Sequence, residues 1–166
     1  MKPTTPKKTF AKLGYTKMDT LEIVTLLNRL LANYSVFQQK LRKFYWNITG
    51  QDFFNLYGQF HEMYVDSTHK TENIAERIRL FGQNPLSTLG EYLEIATIGE
   101  EKASTTSYEM AGIILENIRE LIDNMEEGID ATKKNSDNGT EYMLKSFIHD
   151  LERDHWKLTA WMKQNT

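Results

Sequence analysis

The sequence predicts an all-α fold, an up-and-down four-helix bundle with a short helix in one long middle connection. Three observations predict it. Apolar residues recur in steps of three and four through four long segments. A short stop separates the first segment from the second and a polar one the third from the fourth, which favours antiparallel hairpins. No segment shows the period-two alternation of a strand, and no internal repeat has a solenoid period.

The first helix opens near Asp19, where Asp19 and Glu22 have capping-box spacing. Its apolar stripe is Val24, Leu27, Leu31, Tyr34, Phe37, Leu41, Phe44 and Ile48, and the turn Asn47 to Gly50 ends it. The second helix starts near Asp52 and carries Phe53, Tyr57, Phe60, Tyr64, Ser67, Thr71, Ile74, Ile78 and Phe81 on one stripe. Gly82 and Pro85 stop it. The connection from Gly82 to about Ser104 is long for a bundle. Leu86, Leu89, Leu93 and Ala96 predict a short amphipathic helix within it, over 87–97. The third long helix begins at a Thr106/Glu109 capping box and runs to about Thr132 through Ile113, Ile114, Ile118, Leu121 and Met125. After a polar loop at 133–139, the last runs from about Thr140 through Met143, Phe147, Leu151, Leu158 and Trp161.

The chain of 166 residues is long enough for one domain with a sizeable core. No apolar run approaches a membrane span, and the N-terminus lacks the apolar core of a secretory signal, so a cytoplasmic protein is expected. With no cysteine, disulfides, zinc–thiolate sites and thiol catalysis are excluded. The net charge of −3 conceals an asymmetry. Residues 1–18 hold Lys2, Lys7, Lys8, Lys12 and Lys17 and no acid, whereas the body, 19–166, has 15 basic residues against 23 acids. The division expected is therefore a basic tail, 1–18, and a helical domain, 19–166. Such an arm fits a polyanion such as DNA, or equally a solvated tail.

Nucleophilic catalysis finds no Cys and no GxSxG, and no glycine-rich phosphate loop occurs. A metal site remains, because bundles build such sites from acids and histidines on facing helices. Tyr45 lies near the end of the first helix. Tyr57 and His61 share a face of the second helix at i, i+4, and so do Glu72 and Glu76, with His69 three residues before Glu72.

The ordered pieces WNITG, FFNLY, IAERI, GQNPLSTLGEYL and WKLTAW resemble the Dps proteins, or mini-ferritins, over roughly residues 14–162. The resemblance implies a ferritin-like subunit, a dodecameric shell of like subunits, and no organic cofactor. It also implies iron(II) oxidation between subunits, often by hydrogen peroxide, with storage of ferric mineral. Many members bind DNA without sequence preference, often through a lysine-rich tail, and so associate with the nucleoid.

The family's ferroxidase spacing is kept while its ligands change. Tyr45 and Tyr57 stand at the two histidine positions, His61 at the auxiliary acid, Glu72 at the aspartate, and Glu76 is unchanged. Neutral imidazole suits iron(II), whereas a phenol, with pKa about 10, must lose its proton to bind well. The exchange predicts weakened ferrous capture. Three readings stand: tyrosines that pack an interface and satisfy the acids, a rewired site using His61, Glu72 and Glu76 with or without a tyrosine, or a working ferroxidase. A mixed shell with a histidine-bearing relative is a further partner reading. The family's acidic pore maps to the start of the last helix, where Asp137 and Glu141 are the candidates. His149 and His155 read as solvated helix residues beside acids, and Trp46 as the family's tryptophan next to the first ligand position.

Overall fold

The computed structural model describes residues 15–103 and 105–164. Five helices follow one another: α1 (Lys17–Asn47), α2 (Phe53–Leu80), α3 (Leu89–Ile95), α4 (Ser107–Lys134) and α5 (Asn138–Gln164). α1 pairs with α2 and α4 with α5 as hairpins, α1 also lies against α4, and α3 rests on α1. Among the described residues there is no strand.

Most positions of the predicted stripes form the core, while Tyr57 of the α2 stripe is exposed. Tyr34, Phe37, Phe44, Phe60, Ile74 and Ile78 are each fully buried. Each such side chain stabilises the fold by roughly 1.5–3 kcal/mol relative to exposure. The predicted ends of α1 and α2 also hold. Gly50 and Gly82 have φ of 84° and 76°, the left-handed backbone that glycine adopts without a Cβ clash. At Gly82 the chain closes α2 by donating from Gly82 N–H to the Arg79 carbonyl at 2.8 Å and from Gln83 N–H to that of Ile78 at 3.2 Å. The Thr106/Glu109 capping box at α4 is present in both directions.

Several boundaries differ from expectation. α1 begins at Lys17, and the side chain of Asp19 lies outside the described residues. α3 is shorter than predicted, starting after its own Thr88/Glu91 capping box, and none of its residues is buried. Its apolar positions Leu89 and Leu93 stay exposed, since nothing among the described residues covers them. The polar loop before α5 shrinks to Asn135, Ser136 and Asp137. Asp137 accepts from Thr140 N–H at 3.1 Å and starts the helix at Asn138, two residues earlier than the hydrophobic pattern implies.

The middle connection is pinned from below. Asn33, fully buried on α1, accepts from the N–H groups of Thr97 and Ile98 at 2.8 and 3.0 Å. Its amide donates to Thr97 Oγ1 at 3.1 Å and to Asn124 Oδ1 on α4 at 2.5 Å. One side chain thus supplies partners to backbone groups that lack a helix of their own. Lys43 adds bonds from its ammonium to the carbonyls of Glu101 and Ala103, both at 2.6 Å.

Candidate metal centre

The hairpin of α1 and α2 brings Tyr45, Tyr57 and His61 together. Tyr45, 7% exposed, points from the last turns of α1 into the start of α2. Its ring meets Tyr57 edge-on at 5.5 Å, His61 at 5.2 Å and Trp46 at 6.0 Å, and Tyr64 at a tilt at 5.8 Å. Tyr57 stacks on His61 with the rings 2° from parallel at 6.2 Å, and on Phe53 at 5.2 Å. Such ring contacts add about 0.5–1.5 kcal/mol each beyond area burial. Tyr45 and Tyr57 are therefore members of a continuous aromatic cluster. Arg42 covers it from one side, its guanidinium 4.9 Å from the Trp46 ring centre and 5.7 Å from that of Tyr64.

The acids are elsewhere. Glu72 and Glu76 lie further along α2, about 16 Å along the axis from His61 to Glu72 at the helical rise. Both are exposed, as are Tyr57, His61, Val65 and His69, and the spacing of these residues sets them all on one open face of α2. Among the described residues no three acids or histidines converge to hold a metal ion. Within one subunit the five candidates thus form two half-sets: an aromatic–imidazole end and a carboxylate end. Glu72 also lines a groove of about 880 Å³ between α1, α2 and the middle segment, together with Arg42, Trp46, Leu89 and Tyr92.

The other candidates separate. Lys2, Lys7, Lys8 and Lys12 lie outside the described residues, while Lys17 is exposed in the first turn of α1. Asp137 is 0% exposed. Its carboxylate accepts from Arg77 at 2.5 Å, from the backbone of Thr140, and from the Tyr15 hydroxyl at 3.4 Å. Arg77 further donates from Nε to the Thr140 hydroxyl at 2.7 Å, and its guanidinium lies where a Cβ on Gly139 would sit. The Asp137 carboxylate is thus held inside the bundle as a helix cap and ion pair. Glu141 is half-buried and pairs with Lys145 at 2.5 Å. His149 is exposed, and His155 has the Thr159 hydroxyl 3.5 Å from Nδ1.

Comparison with known proteins agrees with the fold. A ferritin-like domain model matches residues 24–165. DNA protection during starvation protein 2 of Bacillus anthracis is 32% identical over 143 residues, covering 86% of this chain and 98% of that protein. The chain belongs to the Dps family. The DNA protection during starvation protein of Brevibacillus brevis is 31% identical, covering 85% of this chain and 95% of that one. Two solved Dps structures superpose closely. That from Vibrio cholerae O1, described as one of the ferritin-like diiron-carboxylate proteins, has a TM-score of 0.88 at 28% identity, covering 96% of this chain and 99% of that one. The Dps of Bacillus brevis has a TM-score of 0.85 at 31% identity, covering 89% and 99%. Among the described residues of this Dps chain no helix is long and apolar enough to cross a membrane.

Sequence reading missed the charged groups inside the bundle. Lys70 is 2% exposed and bound to Asp66 and Asp150, and Asp154 is 5% exposed. Burial, then the charge of Asp66, pushes the Asp154 carboxyl up to about 6. A signal was available: Ser67, Lys70 and Ile74 share one stripe with Phe60, so Lys70 falls on the core face of α2.

Proposed function

We propose that this protein is a shell-forming Dps of the cytoplasm and nucleoid, protecting the cell under stress, with iron(II) oxidation attenuated by its own ligand set. The observation that carries this reading is the aromatic packing of Tyr45 against Tyr57 and His61. Phenols in ring-to-ring contact hold the cluster together without metal. A phenol is a poorer donor than a neutral imidazole to iron(II), the substrate whose oxidation the family performs.

The exposed face of α2 supports a shared site. If two copies meet antiparallel through it, with the crossing between His61 and Glu72, Tyr57 and His61 of one subunit approach Glu72 of the partner subunit and Glu76 of the partner subunit. Both half-sets are then completed by the same contact, in the family's manner. His61 and the two acids remain capable donors there, while the tyrosines close the position that two imidazoles would fill. The Leu89 and Leu93 face of α3 and the groove beside it are further apolar surface that assembly would cover. The runner-up is an iron-storing ferroxidase with a modified centre, favoured by the retention of Glu76 and by His61 at its edge.

Stopped-flow oxidation of iron(II) by hydrogen peroxide tests the choice. Metal-free protein is compared with the variant Tyr45→His, Tyr57→His, His61→Glu, Glu72→Asp. The variant is expected to be faster by at least about tenfold, about 1.4 kcal/mol in the barrier. Equal and rapid oxidation by both proteins would give the lead to the ferroxidase reading.

A further inference from the structure

Each hairpin is packed by apolar stripes, but α2 and α5 meet across the bundle along a line of polar links. Arg77 donates to the Thr140 hydroxyl at 2.7 Å and to Asp137 at 2.5 Å. Lys70 donates to Asp150 at 3.0 Å. Further along, the Gln59 amide donates to Asp154 at 3.4 Å, and Lys157 stands 3.6 Å from Glu62. The links weaken in that order. At the Arg77 end one guanidinium holds two partners, and the carboxylate is fully buried. At the Asp154 end the contacts are long and Glu62 is exposed, where an ion pair adds little. The seam is firm at one end and loose at the other.

The loose end also carries unbalanced charge. Glu62, Asp66 and Lys70 stand there on α2, and Asp150, Arg153, Asp154 and Lys157 on α5. From α1 comes the Tyr34 hydroxyl, buried without a hydrogen-bond partner. Four acids thus stand against three bases. Lys70 is paired with Asp66 and Asp150, Arg153 approaches Asp150 at 3.6 Å, and Lys157 approaches Glu62. None of the three pairs with Asp154, and Asp154 alone of the four acids is buried. One proton on Asp154 balances the set, and the neutral carboxyl still accepts from the Gln59 amide. Burial, then the charge of Asp66, pushes that carboxyl up to about 6. Loss of the proton leaves a buried charge without a counter-ion, and the strain is relieved when the turn of α5 that carries it moves towards water.

We propose that Asp154 is a proton-operated clasp between α2 and α5: with the proton on, the C-terminal half of α5 lies closed on α2, and with the proton off, that half opens locally while the Arg77 end stays shut. The closed form holds the proton more tightly than the open one, so closure is full in acid and is lost as pH rises through about 6. The clasp backs the stretch of α2 that carries Tyr57 and His61, on either side of Gln59. Acid therefore firms the face that assembly would use. This role does not depend on whether Tyr45 and Tyr57 bind iron.

Amide hydrogen exchange of the full-length protein tests the clasp. It is read by mass spectrometry at pH 5 and pH 7.5 and corrected for the intrinsic pH dependence of exchange. Protection over 147–158 should fall about tenfold between the two, while protection over 138–146 changes by less than about threefold. Asp154→Asn should show equal protection at both. Asp66→Asn removes a facing charge and should move the transition to lower pH. His155, the neighbouring titratable group, has the Thr159 hydroxyl beside it, so His155→Gln should keep the transition. Circular dichroism checks each fold, and if Asp154→Asn does not fold, Asp66→Asn decides. Equal loss along the whole of α5, a transition that persists in folded Asp154→Asn, one that Asp66→Asn leaves unmoved, or one abolished by His155→Gln would each overturn the proposal.

Discussion

Asp154 shows how a single buried carboxyl sets a pH dependence. Its folded pKa of about 6 exceeds the ordinary carboxylate value, so the folded chain holds that proton more tightly than the unfolded chain. Stability from this group is therefore full at low pH, falls as pH rises from about 4 to about 6, and stays lost above that. Asp154→Asn should unfold at higher temperature than the parent at pH 7, by about 1–2 kcal/mol of stability, and the gap should shrink towards pH 4.5. A gap that is constant with pH would show that packing, not the charge, is responsible. At the same scale, Tyr45 packs edge-on against Tyr57 and at a tilt against Tyr64, so each of these phenols is part of the hairpin's packing.

Among the elements, the two hairpins are held by their apolar stripes, whereas the middle connection depends on a few polar bonds. Three of its bonds accept at the single Asn33 amide oxygen. Asn33→Ala leaves the Thr97 and Ile98 N–H groups unpaired in or near the core and should cost about 2–4 kcal/mol. Limited proteolysis should then cut within 96–106 faster than in the parent. Unchanged cleavage would assign the anchoring to Lys43, which holds the Glu101 and Ala103 carbonyls. The Thr106/Glu109 capping box at α4 was legible because both partners lie within one turn of sequence, whereas the equally local Thr88/Glu91 box at α3 was not read. The early start of α5 was not legible, because Asp137 is held by Arg77 from sixty positions away.

At the scale of the whole molecule, the basic arm and the acidic body set the expectation for DNA. The intact protein should retard plasmid, and the retardation should weaken steeply with salt as counterions are released. Many arms on one shell would act together, so weak single contacts suffice. Tyr15 packs edge-on against Phe81 at 5.2 Å and meets Asp137, so a clean deletion ends at residue 14. Removing 1–14 should abolish the shift with the fold intact. A shift that survives the deletion would remove the arm from DNA binding.

The sequence by itself determined the four long helices, the turns at Gly50 and Gly82, and the spacing that puts Tyr57, His61, Glu72 and Glu76 on one face of α2. These features are local or periodic, and periodicity is written along the chain. Only the tertiary structure decided that Tyr45 is packed among aromatic rings while Glu72 and Glu76 stand apart on an open face. It alone showed that Asp137 is a buried cap and that buried Lys70 is paired with Asp66 and Asp150. Those outcomes depend on which helices face one another, and burial and ion pairing between distant residues leave no periodic mark in a single sequence.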